Sequence, residues 1–143
     1  MATILQIINA DRSLSLFSKG IKTTGLDDKL NEIGPFTILG PVNLALGKME
    51  SLSFEELLQP SNKLKLVHLL SGYILPGKKM LADFRNDQKL AMLNGQQVVV
   101  SVKNGDTLLN GAKILSHNRQ GSNGVIHLLD TTYKLIRPAN LTT

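Results

Sequence analysis

The first half of the chain has apolar residues at the spacing of short amphipathic helices. Between Thr3 and about Leu70 they recur three and four positions apart, which places them on one face of a helix. The clearest stripes are Ile4, Leu5, Ile7 and Ile8, followed by Leu14, Leu16, Phe17 and Ile21. Thr3 with Gln6 has the spacing of a capping box, and so does Ser53 with Glu56, so we predict that helices begin at these points.

From about Gly72 the pattern changes to short strands separated by turns. Apolar and β-branched residues flank the turns, as in the segments QQVVVSVK and DTLLNGAKIL. The turns are marked by four dipeptides, Asn94-Gly95, Asn104-Gly105, Asn110-Gly111 and Asn123-Gly124. Because Asn and Gly tolerate the positive φ angles of a tight type I′ hairpin, we predict an antiparallel meander with a turn at each dipeptide.

These two halves predict the α+β class. Helices concentrated in the N-terminal half are expected to pack on one side and edge of a mostly antiparallel, sandwich-like sheet. The sequence has no internal repeat, low-complexity tract or linker, and 143 residues is the size of one domain. We therefore expect a single domain over residues 1–143.

Composition and charge limit the possible partners. Cysteine is absent, which excludes disulfides and thiolate chemistry, and no segment approaches the roughly 20 apolar residues of a membrane span. The net charge of +5 is uneven, because residues 61–143 have eleven basic and four acidic residues. This half is either a solvated basic surface or a site for an anionic partner. The six aromatic residues do not interleave with the basic ones, which disfavours nucleic acid.

No motif for catalysis, a cofactor or a metal ion is present. The sequence lacks the G-x-S-x-G elbow of serine hydrolases and the phosphate-binding G-x-x-x-x-G-K-[ST] pattern. The histidines, His68, His117 and His127, are too far apart in sequence to form a ligand pair such as H-x-x-x-H. We therefore predict a protein that is not an enzyme and has no cofactor or metal site.

Four segments, taken in order, resemble a family. They are GPFTILGPVNLALGKM (34–49), LVHLLSGYILPGK (66–78), NGAKIL (110–115) and NGVIHLLDTTYKLI (123–136). Their order and spacing are similar to those of fasciclin domains, over about residues 3–136. The resemblance implies a fasciclin-like fold and a non-catalytic adhesion module that binds matrix, a cell-surface protein or a polysaccharide. The family motif falls on Thr37, Pro41, Asn43, His68, Asn123, Gly124, His127 and Asp130.

Each motif residue has a structural interpretation beside a functional one. His127 lies in an apolar strand, so we predict a buried imidazole that fastens the core. Asn43 is predicted to cap the helix that begins there. For His68, within an apolar helix, a bonded structural imidazole is weighed against a contribution to a binding surface.

The segment Ser116–Ser122 is predicted to be a polar, basic hairpin loop. Some fasciclin domains have an acidic-aliphatic motif here that is linked to integrin contact, and this chain has Asn118 and Arg119 in its place. His117, Asn118 and Arg119 therefore form either a loop that meets an acidic glycan or an ordinary turn.

Two functions from different classes follow. The first is the extracellular, periplasmic or cell-surface module that the resemblance implies, with a leader peptide already removed, since the N-terminus has no secretory signal pattern. The second is a basic cytosolic domain that binds a polyanion such as nucleic acid, with a steep dependence on salt.

Overall fold

The computed structural model describes residues 1–49 and 52–134, and its helices precede most of its strands. The helices are α1 Ile4–Ala10, α2 Ser15–Thr24, α3 Leu26–Leu30, α4 Asn43–Gly47, α5 Phe54–Leu57 and α6 Lys63–Ser71. Three short 3₁₀ turns are Arg12–Leu14, Pro60–Asn62 and Leu81–Asp83. The strands are β1 Phe36–Pro41, β2 Ile74–Pro76, β3 Lys89–Ala91, β4 Gln97–Lys103, β5 Asp106–Leu109, β6 Ala112–Gly121 and β7 Gly124–Leu129.

The strands form one seven-stranded sheet in the order β2-β1-β7-β6-β5-β4-β3. The run from β3 to β7 is the predicted meander, with each strand antiparallel to the next. The α+β class is therefore confirmed. The two edges of the sheet approach each other, because the amide of Leu93, just after β3, donates to the carbonyl of Ile74 in β2 at 2.8 Å. The sheet is consequently barrel-like rather than a flat sandwich.

Strand β1 was missed in the half that the periodicity predicts to be helical. It pairs in parallel with β7, from Phe36 opposite Gly124 to Pro41 opposite Leu129. All six of its residues are buried. A strand that is covered on both faces shows no alternation of polar and apolar residues, so its period cannot be read from the sequence.

The turns follow the prediction at some of the Asn-Gly dipeptides. Asn104-Gly105 and Asn110-Gly111 have positive φ at both residues, as a type I′ turn requires. At Asn94-Gly95 only the glycine has positive φ. The prediction of such a turn at Asn123-Gly124 is wrong: β6 and β7 pair at Gly121 and Gly124, so the two-residue turn is Ser122-Asn123 and Gly124 already belongs to the strand.

The helices cover one side of the sheet with the predicted apolar stripes. Ile4, Ile8, Leu14, Phe17 and Ile21 are completely buried. Helices α2 and α6 lie so close that a Cβ at Gly20 would come within 2.9 Å of side-chain atoms of both Leu70 and Phe54. The capping box at Thr3 is present in full, and Ser53 accepts a bond from the Glu56 amide at the start of α5. In the described part of the chain, no helix has the length and apolar character needed to cross a membrane.

Candidate functional site

A short segment, Gly77–Leu81, is held by side chains from three neighbouring strands of the sheet, β1, β7 and β6. We call it the strap. Thr37, completely buried in β1, donates its hydroxyl to the Gly77 carbonyl at 2.7 Å and accepts from the Lys79 amide at 2.8 Å. Between β2 and the 3₁₀ turn that begins at Leu81, residues 77–80 form no regular structure, so the Thr37 hydroxyl satisfies backbone groups that a strand partner would otherwise satisfy.

His127 is the second fastener of the strap. It lies in the middle of β7, is completely buried, and uses both ring nitrogens. Nε2 is 2.8 Å from the carbonyl oxygen of Lys79, and Nδ1 accepts from the amide of Asn118 at 3.1 Å. The ring also makes a T-shaped contact with Phe84, with 5.5 Å between ring centroids. His127 therefore lies buried between two backbone groups of segments that are distant in sequence.

The hydrogen-bond partners of His127 also determine which of its ring nitrogens carries the hydrogen. A carbonyl oxygen accepts only, so Nε2 must carry the hydrogen, and an amide donates only, so Nδ1 must be the bare nitrogen. The imidazole is thus neutral in the folded protein. Burial lowers the pKa of His127 below its ordinary value of 6.5, the bond to Lys79 raises it in part, and the nearby His117 lowers it further.

The predicted loop Ser116–Ser122 is wrong, because residues up to Gly121 belong to strand β6. The strand is bulged there, with shifts of register between Ile114 and Ser116 and between Ser116 and Arg119. Asn118 has a φ of 59° at the bulge. A bulge inserts residues into a strand and re-aims their side chains. The polar composition indicated a loop because these extra residues break the alternation that identifies a strand.

Two of the three residues proposed for that loop have structural contacts. The Asn118 side chain accepts from the amide of Leu81 at 2.8 Å, which adds a third fastener to the strap. Arg119 forms an ion pair with Asp11, which also receives bonds from the hydroxyl and amide of Ser13. His117 alone of the three is exposed. The geometry therefore does not bring His117, Asn118 and Arg119 together as a single exposed surface.

The carboxylate of Asp11 is a structural group that the sequence did not single out. Burial raises its pKa, but the hydrogen bonds from Ser13 and Arg119 and the charge of Arg119 outweigh this, so the pKa is lowered below 3.8. Asp11 is therefore ionised and joins the turn after α1 to the bulged strand.

Asn123 and Gly124 connect the sheet to the first helices. The Asn123 side chain is buried, accepts from the Ile4 amide at 3.0 Å, and donates to the carbonyls of Leu30 and Glu32 at 2.8 and 2.9 Å. One amide thus joins the start of α1, the end of α3 and the β6–β7 turn. A Cβ at Gly124 would overlap the carbonyl oxygen of Phe36 in the neighbouring β1, which explains the glycine.

Asn43 was predicted to cap the helix that begins there, but it caps a different helix. Val42 occupies the N-cap position of α4, and no side chain caps that helix. The Asn43 side chain instead reaches α2, where it accepts from the Leu16 amide at 3.0 Å and donates to the Arg12 carbonyl at 2.9 Å. The prediction failed because sequence distance hides this partner, 27 residues earlier in the chain.

Pro41 and Asp130 lie at the ends of the paired strands β1 and β7. Pro41 is buried as the last residue of β1. Asp130 follows β7 and extends its pairing with β6, because its carboxylate accepts from the Lys113 amide at 2.9 Å and its own amide donates to the Lys113 carbonyl at 3.0 Å. Both are structural positions in this geometry.

His68 departs from the structural interpretation. Only Leu66, Leu70 and Ser71 of α6 are buried, and the His68 imidazole is exposed, with no hydrogen bond to any residue that the structure describes. Its backbone carbonyl accepts from the Asn94 side chain at 2.9 Å. Leu64, one turn earlier on the same helix, has 84% of its surface exposed. His68 therefore belongs to an exposed helix face, which we call the α6 face and define as Leu64, Lys65 and His68.

A groove of about 390 Å³ runs beside the α6 face. Its apolar lining consists of Met49, Leu52, Leu57 and Leu69, and its polar lining of Lys65, His68 and Gln96. This groove could not be predicted from the sequence, because its lining comes from separate segments: Met49 and Leu52 from the connection between α4 and α5, Leu57 from α5, Leu69 from α6 and Gln96 from the β3–β4 turn. An apolar surface with a few polar groups is the usual chemistry of a small-molecule site.

The described residues contain no group of three His, Asp or Glu side chains that could hold a metal ion. The buried side chains of Thr37, Asn123 and His127 bind backbone groups, whereas His68 lies on the exposed α6 face. The protein is thus a small α+β domain with a barrel-like sheet, in which buried polar side chains hold separate segments together. Residues 12–133 match the family model described as "Fasciclin domain", so the chain belongs to the fasciclin domain family.

Comparison with individual proteins agrees with this assignment. The chain is 34% identical over 128 residues to "Protein sll1483" of Synechocystis, covering 90% of this chain and 71% of that protein. Its fold is similar to a solved pair of domains from Fasciclin I, described as an insect cell adhesion molecule, with a TM-score of 0.72 and 20% identity. That match covers 94% of this chain and 51% of the other, so this chain spans about half of the solved pair.

One relative has the name of an enzyme. The chain is 28% identical over 151 aligned positions to "Heme ligase" of Plasmodium falciparum, covering 90% of this chain and 74% of that protein. In this chain, the imidazole of His127 already binds two backbone groups, and His68 lies on a helix surface. The histidine that is central to the fold is therefore not available to a ligand in this conformation.

Proposed function

We propose that this chain is a single, non-catalytic adhesion module that binds a matrix protein, a cell-surface protein or a polysaccharide outside the cytoplasm. Membership of the fasciclin domain family supports the proposal, since a solved member is described as a cell adhesion molecule. The buried motif residues Thr37, Asn123 and His127 act here as fasteners, so a partner has to be met by exposed positions, of which His68 is one.

The observation that carries the proposal furthest is the exposure of the α6 face. Residues three and four apart on a helix are neighbours, so Leu64, Lys65 and His68 form one continuous surface. It combines an apolar side chain, a cation and an imidazole, a combination suited to a partial apolar contact with directed hydrogen bonds. No backbone hydrogen bond of the sheet depends on these three side chains, so substitutions at these positions can adapt the face to a partner without weakening the sheet.

The test is binding of the purified domain to an array of matrix proteins and extracellular polysaccharides at near-physiological salt. An unrelated domain of equal net charge is the control for nonspecific attraction. We expect selective binding that Leu64→Gln and His68→Gln each weaken by about fivefold or more, in the range of interface residues outside a hot spot. The matched control is Leu44→Gln, which changes a leucine that is 74% exposed but belongs to a different helix, α4.

Two results would contradict the proposal. Equal binding by the charge control would reduce the effect to nonspecific attraction by the basic half of the chain. Strong binding to nucleic acid, falling steeply as salt is raised, would favour the polyanion function instead.

A further inference from the structure

The groove beside α6 has two chemically different parts. Its apolar part is formed by Met49, Leu52, Leu57 and Leu69. Its polar part is formed by Lys65, His68 and Gln96, all three of which are exposed. Both ionisable side chains that line the described part of the groove, Lys65 and His68, are basic. A ligand that matches both parts must be an amphiphile with an anionic head.

The positions of the polar groups indicate where the anionic head of the ligand would bind. Lys65 and His68 are three residues apart on one helix, so their side chains are neighbours at the rim. Gln96 lies near the C-terminal end of α6, where the Asn94 side chain donates both to Gln96 Oε1 at 3.2 Å and to the His68 carbonyl at 2.9 Å. Leu69 belongs to the same helix. The two basic side chains are therefore neighbours at one place on the rim, where a single anionic group can meet both.

We propose that this groove binds a linear aliphatic carboxylate, with its chain on the leucine and methionine side chains and its carboxylate at Lys65 and His68. The volume of about 390 Å³ is at the small end of the range for small-molecule sites, roughly 300–1,000 Å³, which suits a single chain rather than a ring system. This site goes beyond the adhesive role and does not depend on it, because a free small molecule is the ligand.

The first experiment is a chain-length series of hexanoate, octanoate and decanoate, all below their micellar concentrations. Binding is measured by calorimetry and by amide shifts in NMR spectra. Complete burial of one methylene strengthens binding roughly fourfold. Since the groove is open along one side, we expect about a twofold to threefold gain for each added carbon. The amide shifts should concentrate at Lys65, His68, Leu69 and Gln96.

The second experiment separates the carboxylate contact from general attraction. Lys65→Gln should weaken octanoate binding by about fivefold, the upper range for an exposed ion pair. Lys63→Gln removes the same charge from the same helix at a residue that does not line the groove, and it should leave the affinity within about twofold. Octanol, with the same chain and no charge, should bind more weakly than octanoate.

Each alternative outcome overturns the proposal. Equal affinity for octanol and octanoate would mean that the basic rim is not used. Equal weakening by the two lysine variants would indicate diffuse attraction. Absence of binding at millimolar octanoate, or amide shifts confined to another surface, would remove the site. None of these results would alter binding on the matrix array, so the two proposals fail separately.

Discussion

Replacing His127 tests whether the buried imidazole is a fastener. His127→Ala would leave the Asn118 amide and the Lys79 carbonyl without their partner, at a cost of about 1–3 kcal/mol for each buried group. The ring is completely buried against Phe84, so its loss also leaves a cavity. We expect the free energy of unfolding to fall by about 3–5 kcal/mol, a large part of the roughly 5–15 kcal/mol typical of a domain.

The assay is urea unfolding followed by circular dichroism at pH 8, where the imidazole is neutral in both states. His117→Ala is the matched control, because His117 is an exposed histidine on the neighbouring strand. It should change the free energy of unfolding by no more than about 0.5 kcal/mol. A His127→Ala protein as stable as this control would refute the fastener interpretation.

The same residue predicts a dependence of stability on pH. Because burial lowers the pKa of His127 below 6.5, the unfolded chain binds a proton in a range of pH where the folded chain does not. This contribution to stability is complete above pH 6.5 and falls as the pH drops toward the folded pKa. The slope for one proton is at most about 1.4 kcal/mol per pH unit.

The control for this slope is His127→Gln, which keeps a polar side chain but cannot titrate. Unfolding of both proteins is measured at half-unit steps from pH 8 to pH 4.5. We expect the wild type to lose more stability than the variant below pH 6.5. Parallel curves would show that another group is responsible. Asp11 is separated from this effect, because its lowered pKa puts its loss of stability below pH 3.8.

Three further substitutions test the other fasteners by the same unfolding assay. Thr37→Val keeps the shape but removes both hydroxyl bonds to the strap, and should cost about 1–3 kcal/mol; an unchanged midpoint would contradict its role. Asn123→Ala removes three bonds to backbone groups and should cost about 2–4 kcal/mol, so a loss below 1 kcal/mol would count against it. Gly124→Ala should cost about 3 kcal/mol or more through overlap with Phe36, whereas Gly47→Ala, where a Cβ meets nothing within 4 Å, should cost nothing or stabilise α4.

Features set by neighbours in sequence were predictable, and features set by distant partners were not. Thr3 caps α1 through a residue three positions away, and Asn104-Gly105 makes its turn through its own φ angles. Asn123 belongs to the same kind of dipeptide, but its side chain binds backbone groups more than 90 residues earlier in the chain. Composition alone cannot distinguish these two uses of Asn-Gly.

The resemblance to fasciclin domains supplied what the local pattern lacked. The periodicity gave no sign of β1, whereas the match from Gly34 to Met49 identified that segment as part of the fold. The resemblance could not decide the role of each motif residue. The side chains of Thr37 and His127 are buried and hydrogen-bonded to the strap, whereas His68, within an equally apolar run, faces solvent. The difference arises because only two leucines of α6, four residues apart, face the core.

Buried and exposed polar residues have separate roles in this domain, so stability and binding should respond to different substitutions. Thr37, Asn123 and His127 hold segments that form the frame, so their substitution should lower stability first and affect binding only through unfolding. On the α6 face, Lys65 and His68 have no side-chain hydrogen bond or ion pair to any residue that the structure describes. Substitutions at Lys65 and His68 should therefore change binding at constant stability. A chain built in this way can change its ligand by surface substitutions while the same fasteners preserve the fold.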